Sequence, residues 1–486
     1  MGWFKKAIRP AGNIVPKKKP AREGGIGLGI EVLLVLLAVF GIFFFAGINI
    51  MVFILFIFCG VYLKFFRRRR FSVTKTYIPL TLLLILYIPV VQKVIAHGLS
   101  PYYIPIGAAS MLIILTYADF ELMFVFTMLL SIVVSDMLGQ DFFYFLIMFT
   151  SSLLGGIFAY NIRLRKDLFR TGLTISASML ILLVLHISTS SGTWAKGNFI
   201  AAAVNGIICF AVVLITLPLF EFLFSRISNI SLIEWGDSQQ PLLKRLIMEA
   251  PGTYHHSLVV GNLAEAAAEA IGVNSLLARI GAYYHDVGKI PRAEYFVENQ
   301  LKGENHHEKL SPTMSKLILM NHVKEGVELA KKYKLPRQII DFIEQHHGTS
   351  LAYYFYQKAI DEKRSDVSED DFRYPGPKPQ TKEIAIVLLA DSVEAAARTI
   401  QDPDIDKITF LIKKIIDTKV VDGQLDECDL TFRDLDVITK RFATVLSSMH
   451  HQRVGYPQKD AKAKDEKKNN NHSQSGKDKT QDNIQG

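Results

Sequence analysis

Three cysteines in 486 residues, none of them in a Cys-x-x-Cys, give no basis for a disulfide framework or a zinc finger. Cys59 and Cys209 lie in apolar runs, and Cys428 lies in the more polar half of the chain. No small-residue cleavage site follows the first apolar run before the second begins, so that run reads as a retained anchor rather than a signal peptide. From Pro251 onward there are no alternating strand-like runs, which excludes a β-rich second half. After about Gln452 almost nothing is apolar, so residues 453–486 read as a polar tail, disordered from about 457.

What is present divides the chain in two. Long apolar runs dominate as far as about Ser225, and an ordinary helical sequence follows. The formal charge of +9 is unevenly spread, with clusters at Lys5, Lys6, Arg9, Lys17, Lys18, Lys19 and Arg22 and at Arg67 to Arg70. Beside apolar runs, such clusters are topology determinants facing anionic lipid rather than patches for a nucleic-acid polymer.

Eight stretches approach the ~20 apolar residues that a spanning helix needs. They lie near 28–46, 48–66, 77–96, 102–118, 121–138, 142–161, 171–189 and 199–222. With the basic N-terminus (1–27) inside, Lys and Arg fall at the exits of the second, sixth and eighth stretches. The loops around Gly98–Ser100, Gly139–Gln140 and Ser188–Asn198 have almost none. The positive-inside rule then predicts a membrane domain over 28–224 with both termini in the cytoplasm. Glu31, Asn205 and His186 are the few polar residues in these spans, and they form no relay; helix packing or an interfacial position accounts for them.

Residues 225–250 turn amphipathic, with Ile230, Leu232, Ile233, Trp235, Leu242, Leu243, Leu246 and Ile247 at helical spacing. This predicts a connector at the membrane surface. Residues 251–452 read as helix after helix, near 255–271, 274–286, 312–321, 323–333, 336–347, 350–362, 381–400, 404–419 and 431–450. Ser311-Pro312 marks one start, Pro336 opens another helix, and Gly348 closes the one that ends in His346-His347. The expected fold class is all-α: a polytopic transmembrane helical bundle followed by a cytoplasmic all-helical domain.

The chemistry centres on His285-Asp286-Val287-Gly288-Lys289. At a helix end the His and Asp project side by side. The carboxylate can bridge two cations and the imidazole supplies one nitrogen. Gly288 suits a tight turn, and Lys289 can meet a phosphate oxygen. An isolated His-Asp pair means little. The ordered series His256, His285-Asp286, His322, His346-His347 and Asp391 is far more specific, and it resembles the HD-domain superfamily with a dinuclear centre.

Residues 251–400 further resemble the membrane-bound HD phosphodiesterases that degrade cyclic di-AMP, the PgpH-type seven-transmembrane HD family. The matching stretches are Gly252-Thr-Tyr-His-His-Ser257, His285-Asp-Val-Gly-Lys289, Phe296 to Gln300, Lys309-Leu-Ser-Pro312, His346-His-Gly-Thr-Ser-Leu351, Phe372-Arg-Tyr-Pro-Gly-Pro-Lys-Pro379 and Ala390-Asp-Ser-Val-Glu-Ala-Ala396. The segment with Ser100-Pro101 and Ile104-Pro105 fits as well. The resemblance implies one metal on His256, His285, Asp286 and Asp391, and a second on Asp286, His322, His346 and His347. His255 is expected to pack or hydrogen-bond nearby, and His307 to sit just outside the ligands. Members usually carry a large external domain between the first two spans, where this chain has only residues around Ala46–Asn49. His306 also stands where the family has Pro.

The expected cofactors are therefore two divalent ions, Mn²⁺ or Fe²⁺, in a thiol-free shell. Two cations about 3.5–4 Å apart can share a hydroxide and clamp the phosphoryl oxygens. Asp286 and Lys289 are the expected catalytic residues, and Lys289, Arg398 and Arg373 the expected cations for the substrate. The resemblance implies hydrolysis of cyclic di-AMP to linear pApA at a bacterial plasma membrane, with a homodimer left open. The rivals are cyclic di-GMP hydrolysis, another nucleotide phosphohydrolase, or a non-catalytic nucleotide-binding receptor. After His347 the chain lacks the Gly-Tyr-Pro usual in cyclic di-GMP enzymes, and a pure binder needs no seven-residue ligand set.

Overall fold

The computed structural model describes residues 36–66, 78–190, 195–224, 226–300, 306–362, 367–400 and 404–450. The basic N-terminus, Glu31, Arg67–Arg70 and the polar tail lie outside the described residues. Within them the chain is helical apart from loops, turns and one isolated bridge, Leu351 to Arg373. The all-α class expected from the sequence is what these residues form.

Among the described residues, eight apolar helices make the first half: α1 (Leu36–Phe45), α2 (Ile50–Phe66), α3 (Ile78–Ala96), α4 (Ile106–Tyr117), α5 (Phe120–Met137), α6 (Phe142–Ala159), α7 (Arg165–Ser190) and α8 (Lys196–Phe224). Of these, α3, α5, α6, α7 and α8 are long and apolar enough to cross a membrane; the described parts of α1, α2 and α4 are shorter. Helices α1 and α2 meet in a tight turn in which Ile48 N–H donates to the Phe43 carbonyl at 2.9 Å.

Helix α4 is the core of this bundle, with every residue from Ile106 to Leu115 buried. It is short because Pro101 and Pro105 bracket its entry, and proline cannot continue the backbone ladder. The carbonyls freed there still need donors in an apolar setting. Asn205 of α8 donates its Nδ2 to Tyr102 O at 2.8 Å and to Ile104 O at 3.0 Å, and the Tyr87 hydroxyl donates to Pro105 O at 2.6 Å. Asn205 thus has the packing role expected of it, while the His186 ring lies against Phe143, 4.1 Å between centroids. Helices α7 and α8 touch backbone to backbone, since a Cβ on Gly206 would lie 1.8 Å from the Gly172 carbonyl oxygen.

The connector forms two short helices, α9 (Asn229–Trp235) and α10 (Pro241–Glu249). Ile230 packs into the core of the apolar half, whereas Leu232, Leu242, Leu243 and Leu246 pack with Tyr283, Tyr284 and Val287 of the second half. Glu221 of α8 accepts from Ser228 N–H at 2.7 Å and from the Ser231 hydroxyl at 2.6 Å.

The second half comprises α11 (Pro251–Ala270), α12 (Ser275–Tyr284), α13 (Pro312–Lys332), α14 (Arg337–Gln345), α15 (Tyr353–Asp361), α16 (Lys382–Ala397), α17 (Ile405–Val421) and α18 (Phe432–His450), with 3₁₀ turns after α12. One correction concerns α13. The sequence suggests two helices near 312–321 and 323–333, yet one helix runs through the gap at His322, which is buried among the other imidazoles and Asp286. Ser311 caps α13 as expected, accepting from Met314 N–H at 3.2 Å. Pro336 is the N-cap of α14 rather than its first residue, and Gly348, at φ +54°, ends that segment.

Candidate metal centre

Helix α12 ends at Tyr284, so His285 occupies its C-cap and Asp286 the next position. Gly288 follows for a reason other than a tight turn: a Cβ there would lie 1.7 Å from the His322 carbonyl oxygen. Close approach of the HD segment to α13 is what requires glycine, and it brings His322 to Asp286.

Four imidazoles are oriented through their Nδ1 atoms. His285 Nδ1 donates to Ala282 O at 2.6 Å, His346 Nδ1 to Ile343 O at 3.0 Å, and His322 Nδ1 to Leu319 O. His256 Nδ1 donates to Glu394 Oε2 at 2.7 Å. Each arrangement leaves Nε2 as the inward atom, which is how outer partners set the ring and tautomer of a metal-binding His.

The inward atoms form two adjoining groups, each with its donor atoms within 4.8 Å of one another: Asp286, His322, His346 and His347; and His256, His285 and Asp391. Asp286 divides its oxygens between them. Oδ1 lies 3.4 Å from His322 Nε2 and 3.6 Å from His346 Nε2. Oδ2 lies 3.2 Å from His285 Nε2 and 3.6 Å from His256 Nε2. Asp391 places Oδ1 3.0 Å from His256 Nε2 and Oδ2 3.8 Å from His347 Nδ1.

His256 Nε2, His285 Nε2 and Asp286 Oδ1 are buried and make no hydrogen bond. Leaving buried polar atoms unpaired is costly, and here they converge on common points. Seven nitrogen and oxygen donors without a thiol fit two divalent cations.

Electrostatics agree with that fit. Burial opposes ionisation of Asp286, but the His285 imidazole and the Lys289 ammonium hold the carboxyl well below its usual range. Asp391 is likewise held low, against its burial, by the His256 imidazole beside its Oδ1. Burial pulls His322 down to about 4 and His347 well below the ordinary imidazole value, so both present lone pairs at neutral pH. His256 is raised to about 9: burial works against the charge, but the Asp391 and Glu394 carboxylates overcome it. A cation at its Nε2 would take the place of that proton.

The expected cations separate. Lys289 stands at the centre, its Nζ 2.7 Å from Asp286 Oδ2 and 2.8 Å from Glu298 Oε1. Arg373 instead clamps Asp422 at 2.8 Å, Glu369 at 2.5 Å and the Thr349 carbonyl at 2.9 Å. Arg398 pairs with Glu394, Nε and Nη2 lying 2.8 and 2.6 Å from Oε1. Both guanidinium groups are thus engaged by carboxylates. His255, expected to pack or hydrogen-bond nearby, is exposed. His307 is buried with its Nε2 2.9 Å from Tyr295 O and its ring against Phe355.

Three contributors were not read from the sequence: Glu394, Glu298 and Tyr374, whose ring stacks on His347 with 4.2 Å between centroids. Glu394 sits three residues after Asp391, a helical spacing that places both on one face. That spacing was the available signal.

Comparison with known proteins gives a consistent picture. Residues 42–228 match the family described as 7TM receptor with intracellular HD hydrolase, and residues 253–396 match the HD domain. The cyclic-di-AMP phosphodiesterase PgpH of Bacillus subtilis (strain 168) is 40% identical over 399 residues, 79% of this chain and 55% of that protein. The protein of the same name from Listeria monocytogenes is 46% identical over 289 residues, 60% of this chain and 40% of that protein. The chain therefore spans about half the length of the curated relatives it matches. A crystal structure of the L. monocytogenes PgpH HD domain in complex with cyclic-di-AMP shares 51% identity, covering 44% of this chain and 99% of that chain, with a TM-score of 0.43.

Proposed function

The chain belongs to the family of seven-transmembrane proteins with an HD hydrolase domain, and from that membership and the site's geometry we propose that it hydrolyses cyclic di-AMP to linear pApA. The observation that carries the proposal is the division of Asp286 between two donor groups, Oδ1 toward His322 and His346 and Oδ2 toward His285 and His256. A single-cation site has no use for a carboxylate aimed both ways. The choice of adenine rests on the relatives' substrate.

His256, His285, Asp286 and Asp391 would hold one divalent cation, and Asp286, His322, His346 and His347 the other; manganese or iron suits the donors. When bound, such a pair supplies Lewis acidity that makes water a nucleophile at neutral pH and offsets phosphoryl charge. The remaining work belongs to the chain. Asp286, held ionised, spans both groups and fixes their separation. Lys289 lies beside Asp286 as an ammonium whose charge burial opposes but Asp286 and Glu298 sustain. It would offset charge on a non-bridging phosphate oxygen. Glu298 in turn accepts from the Thr253 hydroxyl at 3.2 Å, tying the Lys289 anchor to α11. In the overall reaction water adds to one phosphorus, the P–O3′ bond breaks, and the 3′-oxygen leaves as a hydroxyl.

The apolar half would sit in a bacterial plasma membrane with the HD domain in the cytoplasm, where the nucleotide is. The positive-inside pattern supports that orientation. The test is turnover of cyclic di-AMP, cyclic di-GMP and ppGpp by the purified chain with Mn²⁺ or Fe²⁺. Preference for cyclic di-AMP, and its loss in Asp286→Ala, is expected. Undiminished turnover by Asp286→Ala would refute the assignment.

A further inference from the structure

His256 is gripped on both ring nitrogens by one helix. Asp391 Oδ1 lies 3.0 Å from its Nε2, and Glu394 Oε2, one turn further along α16, lies 2.7 Å from its Nδ1. Glu394 is buried and uses both oxygens, the second accepting from Arg398 Nε and Nη2. Its Oε2 meets the His256 nitrogen that points away from the cluster, so Glu394 is not itself a donor to the centre. A buried carboxylate is stable only when paired and hydrogen-bonded, and here one partner is an imidazole and the other a guanidinium four residues on.

We infer that Glu394 is the positioning residue for His256, and that Arg398 acts by holding Glu394 rather than by binding substrate. The inference rests on the two-cation reading above and extends it. Arg398→Glu394→His256 is a chain of contacts ending at one of the two donor groups. It should set the affinity of one ion and leave the other, held by Asp286, His322, His346 and His347, alone. Outer partners of this kind are worth about 10–100-fold in metal affinity.

The experiment is a calorimetric titration of Mn²⁺ into the metal-stripped full chain in detergent, for the parent, Glu394→Ala, Glu394→Gln and Arg398→Ala. The parent should take up two ions. Glu394→Ala should weaken one of them about 10–100-fold and leave the other at parent affinity. Glu394→Gln matches the size of the native side chain, so it reports the same one-ion loss in smaller measure if the alanine variant does not fold. Arg398→Ala should weaken that same ion less, with KM for cyclic di-AMP unchanged. Two outcomes overturn the inference: both ions binding Glu394→Ala as they bind the parent, or both weakening equally. An Arg398→Ala variant with raised KM and parent metal affinities would also overturn it, returning Arg398 to the substrate. A parent that takes up fewer than two ions would overturn the underlying metal-centre reading instead.

Discussion

The two halves of this molecule put most of their buried polar groups to different uses, although Ser131 Oγ of the apolar half is buried without a hydrogen bond. In the apolar half, Asn205, Tyr87, Thr116 and Thr127 direct hydrogen bonds to backbone carbonyls. Ser110 and Thr127 also meet hydroxyl to hydroxyl at 2.7 Å. Asn205 and Tyr87 supply donors where proline interrupts the ladder, the Ser110–Thr127 contact joins α4 to α5, and the threonine bonds to carbonyls stay within their own helices. In the HD half, His256 Nε2, His285 Nε2 and Asp286 Oδ1 are buried together without hydrogen bonds, while the opposite side of each imidazole is tied down. Satisfied polar groups build a structure; converging unsatisfied ones prepare a ligand site. The chemistry accordingly belongs to the second half.

Breaking the second half should have the larger consequences. Asp286→Ala removes the shared carboxylate and should lower turnover by more than about 100-fold, the upper end of what losing even an outer partner costs; steady-state assays with Mn²⁺ would show it. Gly288→Ala forces a Cβ against the His322 carbonyl, and overpacking of that kind costs about 3 kcal/mol or more. A lowered thermal midpoint of the HD domain, with lowered metal occupancy, is the expected result.

Lys289→Met removes a cation poised for phosphate charge and should reduce kcat by about 100-fold while both ions still bind. A drop in metal occupancy alone would instead assign Lys289 to holding Asp286. Asn205→Ala should sharpen the comparison from the other side. Losing donors to two buried carbonyls costs about 1–3 kcal/mol, read as a lower midpoint for the apolar half, with turnover per folded molecule intact. The smallest effect belongs to Glu234→Gln. Its pair with Arg165 at 2.6 Å is about half exposed, and such pairs contribute at most about 1 kcal/mol.

Much of this contrast is legible in the residues themselves. Long apolar runs separate the halves, and the His and Asp donors stand at helix ends or on helix faces where motif spacing exposes them. What escapes is whatever depends on partners distant in sequence. The stretches near 312–321 and 323–333 read as two helices because the polar interior that His322 faces is not visible in the sequence. Arg373 and Arg398 read as phosphate ligands because their charges are visible, whereas Asp422 and Glu394, which engage them, are identified only by the fold. Gly288 reads as a turn, and only the path of α13 shows that it is a contact.

The central claim is a two-cation centre with Asp286 between the ions. Anomalous diffraction from crystals of the chain grown with Mn²⁺ tests it most directly. Two peaks about 3.5–4 Å apart, with one Asp286 oxygen directed to each, are predicted. A single peak, or none among these seven side chains, would contradict it.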